Sequence, residues 1–422
     1  MERYIGLIGI IVIFLIAFLM SNNKRAINYK TIGMGFLLQI LLAIFIFKVP
    51  VGTKMFLLIG EFIRKILEFA YEGGTFVFGP LLNNGKLAEL FEENSSIFTL
   101  QLICSSIFMM VLVNILYYYG IMQRVVAVLG KAMNKIMKVS GAEALSNVAS
   151  AFVGQIVAQI MIKPYLEKLT RSELLASMAG SMACISGAIM PIYIGMGIPA
   201  QYLLASSIMA APGALILAKI IYPETGEPET GDNIKISRRR TSANVFEAIS
   251  NGASDGMRVA INVTAMILAL VALVAFIDWV LGLSGNFAYK FFPGCSHLAF
   301  LNHLSLKLIL GKIFMGFAVI LGVPLQDASV VGSLMGTKIV LNEMVAYINL
   351  SQIAQTLTPK GFMIASFALC SFGNFGSIAI QIGGIGELAP NQKKNLARLG
   401  LRALVCGTLS CWLSAAIVGI LI

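Results

Sequence analysis

Glu343 stands in KIVLNEMVAY, and a carboxylate at membrane depth is costly enough to imply a partner or a ligand. It can accept paired hydrogen bonds from vicinal hydroxyls, which suits a sugar; pairing with Lys338 or capping a half-helix is the structural alternative. Further on, CSFGNFGSIAI sets Gly373, Asn374, Gly376 and Ser377 at mid-hydrophobic positions. Two glycines loosen a helix there and two polar side chains face inward, as in an unwound binding segment. The plainer alternative is close packing of small residues, with Asn374 bonding across helices. Earlier in the chain, FVGQIVAQIMIKPYL supplies Gln155 and Gln159, amides that donate and accept. They can read a nucleobase edge or simply bond neighbouring helices. Ser150 and Cys184, with carbonyls nearby, can ring a cation where helices break, although a neutral thiol is a poor ligand for a hard cation. The six cysteines (Cys104, Cys184, Cys295, Cys370, Cys406, Cys411) show no metal-ligand spacing, and His297 and His303 read as loop residues.

The elements that must hold these groups are membrane helices. With 58% hydrophobic and 12% charged residues and a mean hydropathy of +0.86, the 422-residue chain cannot be a soluble domain. The net charge of +11 implies no nucleic acid, because Lys and Arg cluster in short loops as the positive-inside rule requires. Apolar runs at 4–20, 31–47, 98–120, 174–196, 200–222, 259–283, 361–384 and 401–422 predict an all-α polytopic membrane protein with eight transmembrane helices. The first run lacks a small-residue cleavage site and reads as a retained helix. Basic clusters follow the first, third and fifth runs (the last of these Arg238, Arg239 and Arg240) and precede the eighth, while Glu89, Glu92 and Glu93 follow the second. Both termini are therefore expected outside. The stretch 54–69 carries Glu61, Arg64 and Lys65 on one helical face and is expected to lie in the interface.

Two leftover regions, 140–168 and 308–349, are too polar or interrupted for plain crossings and are expected to be re-entrant hairpins, tolerated where protein or water surrounds them. Their sequences are related. Glu143-Ala144 aligns with Asp327-Ala328, and at the same separation Gln159-Ile160 aligns with Glu343-Met344. LTRSELLASMA from Leu169 returns as LTPKGFMIASFA from Leu357. An odd number of crossings between the hairpins makes the repeats inverted, the arrangement for alternating access around a shared site.

AFVGQ, KPYL, NEMVAY, FGNFGSIAI and the start SNNKRAINYKTIG resemble the concentrative nucleoside transporter family, nearly end to end. The resemblance implies a homotrimer in the bacterial inner membrane that takes up nucleosides with Na+ or H+, by an elevator movement of a transport domain in a scaffold, with no organic cofactor. It implies scaffold helices over 1–121, a first transport repeat over 122–222, a cytoplasmic linker over 223–254, a scaffold helix over 255–290 and a second transport repeat over 291–422. By position it puts the ribose-binding residues at Glu343, Asn374 and Ser377, the base-facing aromatic at Phe372, the base-reading amide at Gln155, and the sodium ligands at Ser150, Val153, Cys184 and Ile185. Family members usually follow this Gln with Thr or Ser and then Glu. Here Ile156 and Val157 stand instead, so the first-hairpin carboxylate is missing, and Gln159 one turn below is the candidate to stand in. The weakened cation set and the missing carboxylate leave a second expectation open, an uncoupled facilitator or ligand sensor. A membrane enzyme is the weakest expectation, since no nucleophile, metal cluster or phosphate loop marks the tips.

Overall fold

The computed structural model describes residues 4–82, 97–187, 189–230, 242–291 and 305–422, and among them every regular element is a helix. Glu89, Glu92, Glu93, the arginines at 238–240, Cys295, His297 and His303 lie outside the described residues.

α1 (Ile5–Leu19) buries Gly6, Gly9, Ile13 and Ala17, one stripe at helical spacing. α2 (Tyr29–Phe47) starts where the Asn28 side chain accepts from the Lys30 and Thr31 amides at 3.1 and 3.2 Å, satisfying donors that a helix start leaves over. α3 (Pro50–Phe78) contains the expected interfacial stretch and opens on proline, which has no amide to satisfy. α4 (Phe98–Tyr118) and α5 (Ile121–Met137) follow.

The first hairpin region is α6 (Gly141–Val153), α7 (Gln155–Met161) and α8 (Lys163–Leu166). Gly154 between α6 and α7 has φ of 88°, a conformation that side chains with a Cβ rarely adopt. The chain folds back there: Gln159 Nε2 reaches Ser146 Oγ at 3.1 Å, whereas thirteen residues of unbroken helix would span roughly 20 Å. α9 (Arg171–Ala183) runs into extended backbone at Cys184, and α10 (Met190–Gly195) resumes after the break. α11 (Ala200–Ile221) is followed by α12 (Val245–Phe291), whose 47 residues start inside the expected linker and span roughly 70 Å, about twice a hydrocarbon core.

The region expected as one hairpin over 308–349 is three helices. α13 (Leu306–Ile320) bends by 120° into α14 (Leu325–Val340), and the tight reversal at Leu341 and Asn342 leads to α15 (Glu343–Gln352). α16 (Pro359–Leu369) breaks before α17 (Phe375–Leu388), and α18 (Lys393–Leu421) ends the chain. By length and apolarity five helices among the described residues can cross a membrane, or six with the bent pair, against eight expected. The difference lies in the other expected crossings: 4–20 is a 15-residue helix, and 174–196 and 361–384 are each split by a break.

The centre is α11 and α18, whose apolar windows are 89% and 83% buried; α4 and α12 are peripheral at 28% and 11%. α1 and α2 pack on that centre: a Cβ on Gly6 would meet Ile420 at 2.8 Å, and Gln39 Nε2 donates to Ser414 Oγ at 2.9 Å. The buried stripes of α1 and α2 thus face α18 and α11. α4 and α12 pair closely, since Gly252 and Gly256 have no Cβ to hold their helix off the α4 backbone at Val111 and Ile107.

Candidate functional site

Both hairpin tips and both helix breaks converge on one buried cluster. Gln155 is the first residue of α7 and Glu343 the first of α15, so each stands where its hairpin turns back. Asn342 caps α15 by accepting from the Val345 amide at 2.9 Å, and Asn374 caps α17 by accepting from Ser377 at 2.9 Å. Polar residues with strong capping preference thus end two interrupted helices inside the protein, and α15 and α17 present their positive ends to the cluster.

Glu343 is 5% exposed. Tyr193 OH donates to its Oε1 at 3.1 Å and Asn374 Nδ2 donates to Oε2 at 3.3 Å. On the other side of Asn374, Gln155 Nε2 donates to Ser377 Oγ at 3.3 Å, and Ser377 Oγ donates to the Phe372 carbonyl. One line of contacts therefore joins the first hairpin, the α16–α17 break and the second hairpin. Gln155 Oε1 is buried without a partner among the described residues, which leaves an acceptor to offer. Five of the six expected binding residues meet here: Gln155, Glu343, Phe372, Asn374 and Ser377.

Gln159 is elsewhere. It is fully buried, donates to Ser146 and Ser181 at 3.1 and 2.8 Å and accepts from Ser177 at 2.6 Å, so one donor hydrogen joins the two limbs of the hairpin and the other ties it to α9. The alignment that set Gln159 against Glu343 slips because α14 has 16 residues and α6 has 13; at the tips Glu343 corresponds to Gln155. Tyr193 was missed by sequence reasoning, although a polar ring in MPIYIGMGIP, next to a proline inside an apolar run, was a signal. Tyr347 stacks against it at 4.6 Å between centroids and donates to the Ser366 carbonyl at 2.7 Å, holding the ring pair in place.

Ser150, Val153, Cys184 and Ile185 lie where the ends of α6 and α9 come side by side, the Gly187 amide donating to the Phe152 carbonyl at 3.1 Å. Ser150 Oγ donates to the Ser146 carbonyl at 2.8 Å, and the fully buried Cys184 Sγ lies 3.6 Å from the Ser207 carbonyl. Ile156 points into α17, where a Cβ on Gly384 would lie 3.0 Å from its Cγ1, and Val157 is 40% exposed.

Val157 faces a cavity of about 1200 Å³ between the α4–α12 pair and the first hairpin. The peripheral wall carries Asn114 and Tyr117 on α4 and Asn251, Ser254, Asp255 and Arg258 on α12. Those α12 positions follow i, i+3, i+4, i+7, so they form one polar stripe on a helix that is otherwise apolar outward.

Three family models together match nearly the whole chain: the Na+ dependent nucleoside transporter N-terminus over 8–81, the nucleoside recognition gate over 99–200, and the Na+ dependent nucleoside transporter C-terminus over 202–419. An uncharacterized transporter, YutK, from Bacillus subtilis is 39% identical over 99% of both chains. The nucleoside permease NupC of Helicobacter pylori is 38% identical, covering 99% of this chain and 97% of its own, and the sodium/nucleoside cotransporter 1 of Mus musculus is 32% identical over all of this chain and 64% of its own. Among solved structures, CNTnw in an inward-facing substrate-bound state superimposes with TM-score 0.91 at 37% identity, covering 100% of this chain and 98% of that one. A doubly substituted CNTnw in an outward-facing state gives 0.92 at 36% identity, with the same coverage.

Proposed function

The chain belongs to the Na+-dependent nucleoside transporter family, and from that premise we propose that it imports nucleosides across a bacterial inner membrane by alternating access, driven by Na+ or H+. The observation that carries this reading is the line of contacts from Gln155 through Ser377 and Asn374 to Glu343. A nucleoside entering it exchanges those internal bonds for its own: Glu343 and Asn374 take the sugar hydroxyls, Ser377 completes the sugar contacts, and Phe372 and the free Gln155 Oε1 take the base. Gln159 serves as a strut between hairpin and α9. The bilayer is the second partner of this multi-pass protein, eight crossings counting the broken ones, with two re-entrant hairpins and both termini outside.

In this proposal the moving body comprises α1, α2, α5–α11 and α13–α18, and the α4–α12 pair is the frame, in a homotrimer. Lys163 and Gln123 line the cavity between them, and in this proposal that end faces the cytoplasm. Polar residues of α12 facing the apolar Val157 and Ile160 make a poor seal, which suits sliding and wetting.

The place where the carboxyl ends of α6 and α9 lie side by side is the candidate cation site, their negative helix ends supplying field for an ion. A second reading, an uncoupled facilitator or ligand sensor, is favoured by one observation: Ser150 Oγ is spent on a helix carbonyl and Cys184 offers sulfur. Uptake of labelled nucleoside into proteoliposomes under an imposed Na+ or H+ gradient decides. Accumulation with one gradient supports coupling and names the ion, equilibration without accumulation supports a facilitator, and absence of any uptake refutes the transport reading.

A further inference from the structure

Lys338, on the first limb of the second hairpin, is fully buried, and among the described residues no carboxylate lies within ion-pair distance of its ammonium. The other buried cation of the described residues, Lys219, has Glu143 at 2.8 Å. An ammonium in a dry interior is expensive unless the surroundings carry compensating negative charge. Among the described residues its one direct side-chain partner is Thr408 Oγ1 of α18, at 3.2 Å.

Backbone also lies close by. A Cβ on Gly373, inside the α16–α17 break, would lie 3.3 Å from Lys338 Nζ, 3.0 Å from Thr408 Oγ1 and 3.4 Å from the Met182 carbonyl at the end of α9. Nearby, the Cys411 thiol spans the Ala183 and Cys370 carbonyls at 2.9 and 3.3 Å, so the carboxyl ends of α9 and α16 are drawn together at this point. Each end carries about half a negative charge, and the Glu343 carboxyl lies within electrostatic range. The titratable groups facing Glu343 and Lys338 from the packed elements are otherwise Tyr193, Tyr347, Cys370 and Cys411, none of them cationic. Lys338 is thus the one lysine among the described residues of this buried cluster.

We propose that Lys338 is a positioning residue for nucleoside binding: a tethered counter-cation that never touches the substrate but holds the two broken helix ends together and keeps Glu343 a full carboxylate acceptor. The proposal rests on Glu343 as the acceptor for sugar hydroxyls. Gly373 is part of the device, because any side chain there would push the ammonium away from Thr408 and the α9 end.

The test compares equilibrium binding of a ribonucleoside and its 2′,3′-dideoxy analogue to the purified full-length protein, its Lys338→Met and Glu343→Gln variants, and the double variant. Lys338→Met is expected to weaken ribonucleoside binding about tenfold or more, to change dideoxynucleoside binding less than about threefold, and to add little to Glu343→Gln. Equal loss for both ligands, or no loss, overturns the proposal, since a lysine that only supports the fold would not distinguish them. If Glu343→Gln itself leaves the ribose preference intact, the reading of Glu343 fails instead. Should Lys338→Met not yield monodisperse protein, Thr408→Val keeps the ammonium and removes its hydroxyl partner. A smaller but ribose-selective loss then supports the proposal, and an unselective or absent loss overturns it.

Discussion

Replacing Glu343 by Gln keeps shape and one of the two protein partners while removing the charge. Tyr193 can still donate to the amide oxygen, but the Asn374 amide then faces a group that also donates. A hydrogen bond to an ionised group is worth about 1 kcal/mol more than a neutral one. Two sugar hydroxyls therefore lose about 2 kcal/mol, roughly thirtyfold in Kd. Stability moves differently. The change gives up about 0.3–1 kcal/mol of favourable interaction with the start of α15 but relieves the burial of a carboxylate, so the melting temperature without ligand should hold or rise. Calorimetric binding at saturating Na+, paired with melting of the unliganded protein, separates the two. A Kd within threefold of the parent refutes the reasoning, as does an affinity loss that merely follows a lower melting temperature.

Gly154→Ala forces a Cβ into φ of 88° and to 3.1 Å from Ser186 Cβ, and should cost about 1–3 kcal/mol, read as lower melting temperature and reduced uptake. Gly252→Leu should separate α12 from α4, where even a Cβ would lie 2.6 Å from Val111 Cα, at a cost of about 1–3 kcal/mol in thermal unfolding. Cys184→Ser combined with Ser150→Asn puts a hydroxyl in place of the thiol and a longer-reaching amide oxygen in place of the bonded Ser150 hydroxyl, and should raise the Na+ stimulation of uptake; unchanged stimulation would remove those residues from ion binding. Asp255→Leu makes the α12 stripe more apolar and should slow uptake several-fold while nucleoside affinity, measured separately, stays put.

Local chemistry was legible in the sequence and tertiary burial was not. The repeat of LTRSE as LTPKG is the repeat of a helix start: Thr170 accepts from Glu173 N at 3.1 Å and Thr358 from Gly361 N at 3.0 Å. The aligned acids Glu143 and Asp327 anchor the first limbs of their hairpins, one to Lys219 at 2.8 Å and the other to the Thr358 amide at 3.1 Å. The break at Asn374 announced itself through glycines and a capping residue. The break after Ala183 left a fainter mark, because Cys184, Ile185 and Ser186 are ordinary inside a membrane helix. Gln155 and Gln159 look alike in sequence, and only three serines from two helices distinguish the strut from the amide proposed to read the ligand. The grouping of α1 and α2 with the centre depended on which faces their glycines meet, a property no single segment carries.

The central claim, that two hairpin tips and two helix breaks make one nucleoside pocket, is tested most directly by an electron cryo-microscopy map of the protein in nanodiscs with saturating nucleoside. Density for the sugar within hydrogen-bonding distance of Glu343 and Asn374, with the base between Gln155 and Phe372, is the result expected. Nucleoside density confined to the cavity beside Asn251 and Asp255, with the Gln155–Ser377 and Asn374–Glu343 bonds intact, would contradict it.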